Sequence, residues 1–178
     1  DLYELCETLD LIVNDDYDLS RAYYFFTCML TDLYASDMPL EILGNLEYEL
    51  DALDPDQNGM TVTETPDSLT CAIGDTVVFS RVSDAAGTAF TLTLPTAEGY
   101  VVTFDYRWTP AETRGAALSA SLSLTSDGTQ ALLVTAEGEG LPREGDLSGE
   151  GRLTLAASGS LLSEPPAAQT FAFNWSRT

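Results

Sequence analysis

From about residue 60 onward the chain alternates between apolar and polar positions. In the run "AALSASLSLTS", Ala116, Leu118, Ala120, Leu122 and Leu124 fall on one side of an extended chain, while Ala117, Ser119, Ser121, Ser123 and Thr125 fall on the other. A period of two is that of a strand with one buried and one solvated face. Val102, Phe104, Tyr106 and Trp108 alternate with Thr103, Asp105 and Arg107, and Phe171, Phe173 and Trp175 alternate with Ala172, Asn174 and Ser176. Glycine-containing turns punctuate these runs: "SDAAG", "TAEG", "AETRG" and "TSDG". They are hairpin signals. The pattern predicts strands over 60–65, 68–73, 76–83, 88–94, 99–108, 116–125, 129–137, 150–158 and 169–177, joined as an antiparallel meander.

The first 54 residues carry a different period. Leu2, Leu5, Cys6, Leu9, Ile12 and Val13 recur at helical spacing, and "NDDYD" closes that run, with Asp18 as a cap for the next. The second run, Leu19 to Ala35, is apolar on nearly every side, as in a helix covered twice. "SDMP" starts a third, with Leu43, Leu46, Leu50 and Leu53 in a stripe and Glu41, Glu47, Glu49 and Asp51 outside it. A sheet with one greasy face needs a cover, and three helices would supply it. The expected fold is therefore a single two-layer α+β domain over 1–178, with a helical layer (1–54) packed on one face of the antiparallel layer (60–178). The alternative is a β-sandwich with a small helical appendage. "EGEGLPREGDLSGEG", residues 137–151, is rich in glycine and acid and reads as a long mobile hairpin connection. "SEPPAAQ", residues 163–169, reads as a stiffer connector.

Charge and composition then remove whole classes of function. There are 29 acidic residues against 7 arginines, with neither lysine nor histidine, for a net charge of −22. Such a surface repels phosphate backbones and anionic headgroups, so nucleic acid is not an expected partner. The lack of lysine fits GC-rich codon usage better than adaptation to high salt, because the leucine and aromatic content is not thinned. No run reaches the roughly 18 apolar residues that a membrane-crossing helix needs, so membrane insertion is not expected. Without histidine there is no Ser-His-Asp or Cys-His nucleophile, and without lysine there is no Schiff base and no P-loop. Carboxylate chemistry, alone or with a hard cation, is what survives. Because the chain begins at Asp1, a removed leader and an extracytoplasmic or cell-surface location, with lipid anchoring through a lost N-terminal segment, enter as expectations.

Candidate chemistry is sparse. In "LDPDQNGMTVTE", Asp54, Asp56 and Asn58 alternate ahead of Gly59, and the Met60 carbonyl follows at the next ligand position. Calcium takes six to eight oxygens, and alternate side chains in a tight turn converge on one point. Over about six residues the loop resembles that of an EF-hand. The resemblance then ends: the twelfth position is Thr65 rather than glutamate, and a strand pattern follows. The loop is read first as an Asx-turn corner between the two layers, with calcium on Asp54, Asp56, Asn58 and Met60 as the alternative and no other cofactor expected. "NDDYD" reads as capping and solvation. Asp105 and Glu112 are the carboxylates nearest aromatic residues, though Asp105 falls on the wet face, where Arg107 or Arg81 would pair with it. Cys6, Cys28 and Cys71 have no metal-ligand spacing and read as buried thiols. The aromatics, from Tyr23 to Trp175, read as core, or as the lining of a cavity if the sheet curves.

These observations favour a non-catalytic extracytoplasmic interaction or scaffold domain of a bacterial surface protein or lipoprotein, with a protein or other cell-surface partner. A carrier of an apolar, lipid-like ligand is the alternative, and a carboxylate-dependent glycoside hydrolase the third reading.

Overall fold

The computed structural model describes residues 60–95, 99–143, 145–162 and 167–176. These residues form nine strands: β1 (Met60–Thr65), β2 (Ser68–Ile73), β3 (Thr76–Asp84), β4 (Gly87–Pro95), β5 (Val101–Pro110), β6 (Ala116–Ser126), β7 (Thr129–Leu141), β8 (Ser148–Ser158) and β9 (Gln169–Ser176). Each strand pairs antiparallel with its neighbour in sequence, giving one sheet in the order β1 to β9. Two-residue hairpins make this economical. Between β6 and β7 the turn is Asp127-Gly128, both at positive φ (51° and 74°), with Ser126 opposite Thr129. That is the backbone a tight hairpin requires.

The expected α+β class is corrected by this arrangement. Among the described residues there is no helix, and every strand finds its hydrogen-bonding partner in the next hairpin of a single sheet. The three predicted helices fall in 1–54, outside the described residues. The β-sandwich alternative fails on the same topology, because a sandwich needs a break between two sheets and the pairing from β1 to β9 has none.

The core lies on one face of the sheet. Cys71, Phe79, Leu92, Phe104, Leu122, Val134 and Ala157 form a cross-strand row from β2 to β8. Phe79, Phe104, Leu122 and Val134 in that row are wholly withdrawn from water. Burial of each large side chain contributes about 1.5–3 kcal/mol. In the next row Phe90 stacks on Tyr106 with ring centroids 4.7 Å apart and meets Phe104 edge-on at 5.6 Å.

Three register shifts interrupt the alternation. β3 carries an extra residue between Val77 and Phe79, and β7 carries one between Gln130 and Leu132 and another between Gly138 and Leu141. At the first two, adjacent residues are both buried: Val78 with Phe79, and Ala131 with Leu132. A bulge sends two consecutive side chains to one face, so paired apolar residues mark its position.

The expected mobile connection over 137–151 is also corrected. β7 runs on to Leu141, which is fully buried, and β8 resumes at Ser148. Gly149 and Gly151 make room for neighbouring side chains. A Cβ on Gly149 would lie 2.5 Å from the Trp175 ring, and one on Gly151 would lie 2.6 Å from the Phe173 ring, so β9 aromatics occupy the space over β8. Trp175 Nε1 also donates to the Gly140 carbonyl at 2.9 Å. The short remaining loop is fastened to the β5–β6 turn. Arg143 donates to the carbonyls of Ala111 and Thr113, and its Nε lies 3.5 Å from Asp146. Asp146, only 8% exposed, accepts the Gly115 N–H at 2.7 Å.

Candidate interaction surface

The opposite face of the sheet is wet, and the register fixes which polar groups share it. Arg107 on β5, Ser119 on β6, Glu137 on β7 and Thr154 on β8 form one cross-strand row. One step toward the β7–β8 loop, Thr109 pairs with Ala117, and Glu139 pairs with Arg152. Small residues at Ala117 and Ser119 leave room between the longer side chains. The result is a shallow depression of about 360 Å³ whose lining includes Arg107, Ser119, Glu137, Glu139, Arg152 and Thr154. A second depression of about 450 Å³ shares Glu139 and Arg152 with it and continues past Glu150 to Ala172, Phe173 and Asn174.

The charges here are balanced but uncommitted. Glu137 accepts a hydrogen bond from the Ser119 hydroxyl at 2.9 Å. Among the described residues neither Arg107 nor Arg152 forms an ion pair or a side-chain hydrogen bond, although Glu139 stands directly across from Arg152. Guanidinium groups present planar, forked donors suited to a carboxylate. In an open recess they stay hydrated and available, since exposed pairs are worth little.

The residues singled out from sequence do not assemble here. Asp54, Asp56 and Asn58 lie outside the described residues, while Met60 opens β1 and pairs through its backbone with Ile73. Among the described residues no three cysteine, aspartate or glutamate side chains stand close enough to hold a metal together. Asp105 does lie on the wet face, but it accepts a hydrogen bond from Thr91 Oγ1 at 2.6 Å rather than pairing with Arg107. Arg81 sits on the other face, opposite Leu69 and Phe90. Glu112 is exposed in the β5–β6 turn, seven residues from Asp105, a separation of about 20 Å along an extended chain. Cys71 is buried in the core, and Cys6 and Cys28 lie outside the described residues. Of the aromatics, Phe104, Trp108 and Trp175 are buried, Phe173 is half-buried, and Phe171 is exposed on β9.

Sequence reasoning misses this cluster because the 137–151 connection takes in Glu139 and ends the preceding strand at Glu137, so Arg152, though within the expected strand 150–158, has no expected partner across from it. The available signal was the continued alternation of Ala136, Gly138 and Glu137, Glu139 beyond the expected strand end. No protein-family model, curated protein or solved structure matches this chain.

Proposed function

We propose that this chain is a non-catalytic extracytoplasmic interaction domain, of the kind carried by bacterial surface proteins and lipoproteins, and that it engages its partner through the polar face of β5–β8. The observation that carries this proposal is the recess in which Arg107 and Arg152 stand without ion-pair or side-chain hydrogen-bond partners among the described residues, beside Glu137 and Glu139. A rigid sheet holds these groups in fixed register, which lowers the ordering cost of association. The absence of histidine and lysine supports a binding role over common enzyme chemistries.

The test is differential capture from cell-envelope extract by the wild-type protein and by the double variant Arg107→Ser/Arg152→Ser, both checked for folding by circular dichroism. A polypeptide retained by the wild type and lost by the variant is the expected result. Identical capture profiles would refute the assignment of this face.

A further inference from the structure

Resting on that proposal, we propose that the recess accepts an extended polypeptide segment of the partner with side-chain charges in the order acidic, basic, acidic at alternate positions. The order follows from how the sheet spaces its charges. Arg107 is on β5, Glu137 and Glu139 are on β7, and Arg152 is on β8. With strands about 4.8 Å apart, β7 lies about 10 Å and β8 about 14 Å from β5. An extended peptide crossing the strands turns every second side chain to the same side, about 6.8 Å apart, so its first, third and fifth residues fall at about 0, 7 and 14 Å. An acid at the first position meets Arg107, a base at the third falls about 3 Å short of β7, within the reach of a lysine side chain to Glu137 and Glu139, and an acid at the fifth meets Arg152.

Other occupants fit less well. A wholly anionic ligand meets Glu137 and Glu139 and the field of a chain of charge −22. A wholly cationic one would be drawn in by that field but would set its charges against both arginines. An apolar ligand would set its surface against four charged side chains, Arg107, Glu137, Glu139 and Arg152. Serines and threonines beside the charges, Ser119, Thr109 and Thr154, can hydrogen-bond the intervening peptide backbone.

The experiment compares two blocked peptides by calorimetry on the whole chain: Glu-Ser-Lys-Ser-Glu and its inverse, Lys-Ser-Glu-Ser-Lys. Net charge alone favours the inverse, which is positive, whereas the recess favours the first. The expected result is at least about fivefold tighter binding of Glu-Ser-Lys-Ser-Glu, equivalent to one ion pair of about 1 kcal/mol. That preference should vanish in Arg107→Ala/Arg152→Ala and in Glu137→Gln/Glu139→Gln. Equal or tighter binding of the inverse peptide, or a preference that survives both variants, would overturn the inference. Absence of binding by either peptide at millimolar concentration would also overturn it. If envelope capture still depended on the arginines in that case, the interaction surface would stand and only its charge order would fall; if capture failed too, both would fall.

Discussion

Replacing Asp146 by alanine should loosen the fold at the β7–β8 loop, and the loss can be worked out from the loop geometry. The carboxylate is 8% exposed and accepts the N–H of Gly115, itself buried, at 2.7 Å, with Arg143 Nε 3.5 Å away. A hydrogen bond to a charged acceptor is worth about 1.5–3 kcal/mol, and removing it strands a buried backbone donor. Arg143 keeps its bonds to the carbonyls of Ala111 and Thr113, so the loop is loosened rather than released. The expected cost is about 2 kcal/mol, a fall in Tm of about 4–8 °C for a domain of this size. Asp146→Asn retains an acceptor and should cost about half as much. Urea unfolding of Asp146→Ala, Arg143→Ala and the double variant gives the coupling, expected at 0.5 kcal/mol or more for groups in contact, by the order of magnitude of such cycles. A loss below about 0.5 kcal/mol for Asp146→Ala, the range of ordinary surface changes, would refute the clamp.

Three further outcomes follow from the core face. The Tyr106 hydroxyl is buried and has no hydrogen-bond partner among the described residues, so Tyr106→Phe should raise stability by about 1 kcal/mol in chemical denaturation. Burial also holds that hydroxyl above its ordinary value near 10, favouring the neutral form in the folded state. Stability from this source is complete below pH 10 and falls as pH rises beyond it, where the unfolded chain ionises first. The wild type should therefore lose ground to Tyr106→Phe by up to about 1.4 kcal/mol per pH unit above pH 10, measured by denaturation at stepped pH. Gly149→Ala forces its methyl against Trp175 and should cost about 1–3 kcal/mol with a red shift in tryptophan emission; unchanged emission would contradict the packing.

Much of the sheet was legible because its two signals are local. Alternation reports which face a residue occupies, and glycine turns report where the chain reverses, so the nine strands lie close to their sequence-derived spans. The strand β7 was cut short at 137 because glycine and glutamate in "EGEG" resemble a loop when only their own propensities are weighed. What keeps them extended comes largely from other strands: Leu118 of β6 stands beside Gly138, and Phe173 and Trp175 of β9 cover β8. Such support is invisible in a window of consecutive residues. The bulge at Ala131-Leu132 has a similar effect on the recess. A plain two-residue hairpin register would place Ser119 opposite Ala136, and the extra residue moves Glu137 into that place. The α+β class rested on helical periodicity in 1–54 and on the idea that a one-faced sheet requires helical cover, whereas the described residues show a sheet alone.

The most direct measurement is amide chemical-shift mapping of the whole chain titrated with Glu-Ser-Lys-Ser-Glu. The expected result is a contiguous set of shifts on β5 to β8 centred on Arg107, Ser119, Glu137, Glu139, Arg152 and Thr154. Shifts confined to the buried face around Phe104 and Leu122, or to β1 and β9 alone, would contradict the assignment of the polar face as the binding surface.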